Sequence, residues 1–266
     1  LEIVEKPDFT IRMRRFITYD LGPAQNPTSE KIMSKEQMVN RIDWMSKNRI
    51  NIFQYGIDHN KDCYDNWPGY EAVFDELKKR DMIIGAGGHM FFKFMPKDTF
   101  KDHPEWFALI DGKRVEHSQF CTSNKDAVNF YVNNMLKFLN KHPEIKYFGP
   151  WPHDMGNWCE CKSCKDKTIG DRYLQLGNKI YKLLKEKRPD ITFTHFPYGS
   201  YMQPPENEKP AKGMNINLCT WRRTFDTTIN DPKTWKKFRD ALKAWSKLSK
   251  QHNNTFIYHE KYLRHL

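Results

Sequence analysis

Seven short runs rich in β-branched and aromatic residues recur along the chain, and a helical pattern follows most of them. The runs are TIRMRRFIT from Thr10, INIFQYGI from Ile50, MIIGAGGHM from Met82, KYFGPW from Lys146, ITFTHFPY from Ile191, MNINLCTW from Met214 and TFIYHE from Thr255. After the first, SKEQMVNRIDWMSKN opens on a capping box, Ser34 with Gln37, and repeats apolar residues at Met38, Ile42 and Met45. GYEAVFDELKKRD follows the second run, and NKDAVNFYVNNMLKFLNKH follows the third after a long loop. DRYLQLGNKIYKLLKEK follows the fourth. DPKTWKKFRDALKAWSKLSK follows the sixth, with Asp231 as cap and Pro232 at the first helical position. The fifth connection, GSYMQPPENEKPAKG, is Pro-rich and reads as loop.

Alternation repeated this often predicts a parallel sheet wrapped in helices. No G-x-G-x-x-G follows a strand and no phosphate loop is present, which disfavours a nucleotide-binding doubly wound sheet. The fold class expected is therefore α/β, a (β/α)8 barrel of the TIM type. Seven strands leave it one βα unit short, as in a barrel excised from a longer protein. A seven-strand barrel variant or an open sheet is the alternative.

In such a barrel, chemistry gathers where strands end and βα loops begin. Those positions hold Tyr55 and Asp58, His89, Trp151 with His153 and Asp154, His195 with Tyr198, Trp221 with Arg222, and His259 with Glu260. Singly, a strand-end His is as readily a core residue, and a Trp as readily rim packing. Together they describe a polar cleft with aromatic walls. Asp154 follows the fourth strand and Glu260 the seventh, on opposite sides of a barrel mouth. Glycoside hydrolysis uses such a carboxylate pair, one to protonate the leaving oxygen and one to attack or to activate water. Trp151, Pro152 and Trp158 are expected to desolvate Asp154 and keep it protonated as the acid, while Lys261, His259 and Arg264 keep Glu260 ionised. A salt bridge to one of many nearby Lys or Arg is the plain alternative for Glu260. The loop between Met90 and Phe120 is expected to pack over the face bearing Asp154.

Composition narrows the partners. Aromatic residues make up 14% of the chain, more than a core of this size needs, and rings with one polar edge suit sugar stacking. The net charge is +11, yet no block of five like charges and no zinc-finger or RNP pattern is present, so nucleic acid is not an expected partner. An acidic polysaccharide or a solvated basic surface accounts for the charge. No run approaches the roughly 18 apolar residues of a membrane span. The chain begins at Leu1 without a signal peptide, as a mature chain or excised domain does.

Cys159, Cys161 and Cys164 form C-x-C-x-x-C. Neighbours this close pair poorly as disulfides, whereas three thiolates on one loop can converge on Zn2+. A tetrahedral site needs a fourth ligand, and Cys121 on the adjacent loop can supply it. Four thiolates leave no open position, so the site would be structural. A disulfide from Cys121 to one of the three is the alternative, and Cys63 and Cys219 are left as free thiols.

HPEWFALIDGKR, QFCTSN and the segment running from His153-Asp154 to WCECKSC resemble the bacterial domain-of-unknown-function 4838 family along essentially the whole chain. The resemblance implies a glycoside-hydrolase-like barrel within a longer secreted protein, extracellular or periplasmic and in some members a cell-surface lipoprotein. It also implies a preceding α/β domain, as in hexosaminidases and α-glucuronidases, with EIVEKPDFTIRMR as the entry to the barrel. The cysteine spacing is similar to that of family-42 β-galactosidases, where a zinc loop follows an Asn-Glu acid/base and a fourth Cys comes from the preceding βα loop. His153-Asp154 stands where Asn-Glu would be, so the reach of the acid and contact with the sugar 2-OH do not carry over. The adjacent Asp-Glu of hexosaminidases is absent.

The expected function is thus a glycoside hydrolase acting on a polysaccharide or glycan, with Asp154 as acid/base and Glu260 as nucleophile or second base. His89, Trp151, His153, Tyr198 and Trp221 would shape the sugar subsite, and Arg222 would hold a carboxylate or sulfate. A structural zinc would sit on Cys121, Cys159, Cys161 and Cys164. The alternatives are a non-catalytic carbohydrate-binding barrel and a zinc-stabilised barrel with another hydrolytic activity.

Overall fold

A computed structural model describes residues 10–16, 34–56, 70–154, 156–219, 228, 231 and 236–259. Its strands are β1 (Met13–Phe16), β2 (Ile52–Gly56), β3 (Ile83–His89), β4 (Leu109–Ile110), β5 (Lys113–Arg114), β6 (Tyr147–Trp151), β7 (Thr192–His195), β8 (Asn215–Cys219) and β9 (Phe256–His259). Its helices are α1 (Lys35–Lys47), α2 (Tyr70–Lys79), α3 (Phe91–Phe94), α4 (Lys125–Lys141), α5 (Lys162–Lys165), α6 (Ile169–Lys187) and α7 (Lys236–Gln251). Seven strands form one sheet in the order β1-β2-β3-β6-β7-β8-β9, and every pairing in it is parallel. Each new strand joins the same edge, with no reversal. That is the α/β-barrel arrangement and not the doubly wound one. All seven expected strands are present.

The helices start where the sequence provides caps. Ser34 Oγ accepts from the Gln37 amide at 3.1 Å, and the Gln37 side chain accepts from the Ser34 amide at 2.8 Å. Met38, Ile42 and Met45 are then fully buried, as their spacing on one helical face requires. Asn124 caps α4, and Thr168 caps α6 a little earlier than the sequence pattern alone suggests.

Strand alternation divides the sheet into two faces. Tyr55 meets Phe74 of α2 edge-on, and the His195 ring lies 4.2 Å from Tyr173 of α6. These residues point into the sheet–helix layer. Gln54, Gly87, Tyr147, Gly149, Thr194 and Asn217 occupy the other face. Two glycines there are set by close packing. A Cβ on Gly149 would stand 2.6 Å from Thr194 Cγ2, and one on Gly87 would overlap the Gln54 amide.

The long connection after β3 holds a feature the sequence reading passed over. β4 and β5 form a small antiparallel hairpin. Its turn is Asp111-Gly112, with φ of 48° and 77°. Two successive positive φ angles are what a tight hairpin turn requires, and Asp-Gly supplies them readily.

Candidate active site

Because the strands are parallel, the ends of β3, β6, β7 and β9 lie at one edge of the sheet. His89 and Trp151 are register partners there. Their rings meet edge-on at 5.5 Å. Trp151 stacks on Phe196 at 3.7 Å and 8°, and Tyr198 stands 6.4 Å from His89. Three expected subsite residues, His89, Trp151 and Tyr198, are therefore gathered at one place, and all three are buried. His89 Nδ1 lies 2.5 Å from the Pro152 carbonyl oxygen. A carbonyl only accepts, so Nδ1 carries a proton and donates it to Pro152 O.

His153 is buried as well, with its ring 3.3 Å from that of Phe92. Its backbone is held by Gln119, a residue that sequence reasoning missed. Gln119 Oε1 accepts from the His153 amide at 3.1 Å, and Gln119 Nε2 donates to the His153 carbonyl at 2.9 Å. The same nitrogen approaches the Gly156 carbonyl at 3.4 Å. One fully buried side-chain amide thus spans the backbone beside Asp154. The loop after β3 packs against the loop bearing Asp154, as expected.

Asp154 departs from expectation in one respect. Trp151, Pro152 and Trp158 are buried, but Asp154 is exposed. The residue lies at the surface while the neighbouring rings are buried. Tyr55 and His195 also depart from the strand-end reading. Both belong to the core between sheet and helices, because each sits on the helix-facing parity of its strand. Gly177 of α6 leaves room for the His195 ring, since a Cβ there would lie 3.0 Å from Nδ1. Full burial pushes the His195 pKa down to about 3. Asp58, Trp221, Arg222, Glu260 and Cys63 lie outside the described residues.

The four expected cysteines do converge. The Sγ atoms of Cys121, Cys159, Cys161 and Cys164 all lie within 4.8 Å of one another. Cys121 Sγ is 3.8 Å from that of Cys161 and 3.7 Å from that of Cys164. None of the four is in a disulfide, nor is the buried Cys219. With Ala108 they make a small core of their own, separate from the main one. The backbone assembles it from two loops. The Cys121 amide donates to Trp106 O at 2.7 Å, and the Glu160 amide donates to Leu109 O at 2.8 Å. Cys161 precedes the short α5, whose first turn brings Cys164 back beside it.

Donors surround the sulfurs. The Leu109 amide points at Cys159 Sγ from 3.4 Å, and Arg114 Nη1 from 3.9 Å. Cys164 Sγ in turn donates to Ser123 Oγ at 3.1 Å, and that hydroxyl donates onward to Ser163 O at 3.2 Å. Hydrogen bonds from Cys121 and Cys159, with help from Ser123 and Arg172, hold the Cys164 thiol well below its usual pKa. The neighbouring Cys159 and Cys164 sulfurs push Cys121 up. Four soft donors this close are compatible with a metal ion.

The chain belongs to the family described as domain of unknown function DUF4838, whose model matches residues 3–260. No curated protein matches it. Among solved structures, it is similar to a GH20 catalytic module of the pneumococcal exo-β-D-N-acetylglucosaminidase. There the TM-score is 0.50 at 13% identity, over 78% of this chain and 58% of that one. An O-GlcNAc hydrolase of Thermobaculum terrenum matches with TM-score 0.45 at 7% identity, over 80% of this chain and 41% of that one. A β-glucuronidase of Parabacteroides merdae matches with TM-score 0.44 at 11% identity, over 93% of this chain and 24% of that one. The chain spans between a quarter and three-fifths of these proteins' lengths. At 13% identity the likeness to the GH20 module shows the fold alone, an α/β barrel.

Proposed function

We propose that this domain is the barrel of a glycoside hydrolase acting on a polysaccharide or glycan, with Asp154 as its acid/base. One observation carries the reading. An exposed carboxylate stands at the end of β6, beside an edge where His89, Trp151 and Tyr198 come together on a glycosidase-type fold. Asp154 would protonate the leaving oxygen, and Glu260 would serve as nucleophile or second base. Trp221 would present its ring to a sugar, and the buried Trp151 and Tyr198 would back the subsite from beneath. His89 and His153 would line the subsite, and Arg222 would meet a carboxylate or sulfate. The domain would complete its barrel with a further βα unit and work as part of a longer extracellular or periplasmic protein.

The cysteine cluster would hold a structural Zn2+. A tetrahedral site with Zn–S bonds of about 2.3 Å has sulfur–sulfur edges of about 3.8 Å. The separations of 3.8 and 3.7 Å at Cys121 match that edge and far exceed the roughly 2.05 Å of a disulfide. When bound, the ion would offset two of the four thiolate charges and pin the loop that carries Asp154. Gln119 and Cys121, two residues apart, would fasten that loop at both ends.

The test is hydrolysis of a glycan panel by the full chain and by Asp154→Asn. Loss of turnover of natural glycans, with binding kept and an activated aryl glycoside less affected, supports the assignment. Unchanged turnover rejects it. The exposure of Asp154 favours one second reading, a non-catalytic carbohydrate-binding barrel. In that case the chain binds glycans and releases no product.

A further inference from the structure

We infer that Arg114 and Arg172 are the counter-charges of the cysteine site, making it a charge-neutral, slowly exchanging divalent metal centre. The inference rests on the metal reading above.

Arg172 is 6% exposed, and a guanidinium keeps its charge at any working pH. A buried charge without a counter-ion is costly. Yet among the described residues no carboxylate pairs with it. Its Nη1 donates to the Cys159 carbonyl oxygen at 2.6 Å, and its guanidinium carbon lies 5.8 Å from the centre of the Trp158 ring. Arg114, half-buried, makes the same choice. Its Nη1 donates to the Phe107 carbonyl oxygen at 2.6 Å and faces Cys159 Sγ at 3.9 Å. Among the described residues neither arginine has an acidic partner, and both converge on one cysteine.

Position on the helix points the same way. Arg172 falls in the opening turn of α6, just after the Thr168 cap. A cation there opposes the helix dipole. The adjacent acid, Asp171, commits its carboxylate to the Thr168 hydroxyl, the Asn207 side chain and the Asn207 and Glu208 amides, which leaves the thiolates as the negative groups Arg172 can compensate. The charges then close. Four thiolates carry four negative charges, a divalent ion supplies two positive, and the two guanidiniums supply the rest. A monovalent ion would leave this buried unit negative and a trivalent ion would leave it positive. The arginines therefore select for a divalent ion as well as retaining it.

The experiment measures metal, not catalysis. The full chain, Arg172→Met, Arg114→Met and Arg172→Lys are loaded with Zn2+, and transfer of the metal to a chromogenic chelator is timed. Co2+ loading supplies a thiolate charge-transfer spectrum that reports four-sulfur coordination. Each Met variant should keep that spectrum and bind metal about 10–100-fold more weakly, the range typical of lost outer-shell partners. Arg172→Lys, which restores the charge, should recover most of the retention. Arg114 is partly exposed, so Arg114→Met reports even where Arg172→Met does not fold. Release rates equal to the parent in the Met variants overturn the inference and leave the metal site standing. A parent chain that takes up neither ion overturns both.

Discussion

Replacing Gln119 by Leu tests whether one buried amide holds the loop that bears Asp154. The side chain is fully buried and bridges the amide and carbonyl of His153, itself 2% exposed. Leu fills similar space but offers neither donor nor acceptor. Each buried backbone group deprived of such a partner costs about 1–3 kcal/mol, so the pair amounts to about 3 kcal/mol after a small gain in apolar burial. For 266 residues at about 2.1 cal/mol/K each, the unfolding entropy is about 0.56 kcal/mol/K, so the melting temperature should fall by about 5 °C. Gln119→Glu sharpens the test. It keeps an oxygen for the His153 amide but turns a second oxygen, buried and negative, toward the His153 carbonyl. It should be at least as damaging near neutral pH and recover as the carboxylate protonates in acid. Differential scanning calorimetry of the three proteins over pH decides the matter. A Gln119→Leu protein melting within about 1 °C of the parent would refute the reasoning, since so small a shift corresponds to about 0.6 kcal/mol.

Three other outcomes are expected. His195 has a folded pKa near 3, against 6.5 when unfolded. Between those values the unfolded chain binds the extra proton, so stability falls as pH drops, by up to about 1.4 kcal/mol per unit for this one group. His195→Leu should flatten that slope in melting curves taken between pH 7 and 4; an unchanged slope would show that other groups set it. Gly87→Ala places a methyl against the Gln54 amide and 2.9 Å from the Gly149 carbonyl oxygen, backbone that cannot retreat. It should cost about 1–3 kcal/mol in chemical denaturation, and a neutral result would contradict the packing described. Purified protein should carry about one Zn2+ per chain, as a single four-ligand site requires. If the ion is present at a thousand times its dissociation constant, removing it should cost about 4 kcal/mol, or about 7 °C. Metal-free protein with an unshifted melting temperature would count against the site.

The sequence by itself determined the seven main strands and the long helices between them, because periodicity and caps are local properties. Seven apolar runs became seven parallel strands, and Ser34, Asn124 and Thr168 started helices. The spacing of Cys159, Cys161 and Cys164 was legible for the same reason, since one short loop joins them. The Asp-Gly turn between β4 and β5 was legible too, though it was passed over inside a long loop. Only the tertiary structure decided which way strand-end side chains point. His195 and Tyr55 sit at strand ends like His89 and Trp151, but a shift of one residue in a strand exchanges its two faces, and nothing local fixes that parity. Gln119, Arg114 and Arg172 were invisible in the sequence because their roles depend on partners 34, 45 and 13 residues away. The exposure of Asp154 was hidden likewise. Neighbouring tryptophans bury a carboxylate only if the backbone brings them to the same side, and here Trp151 and Trp158 are buried while Asp154 stays exposed.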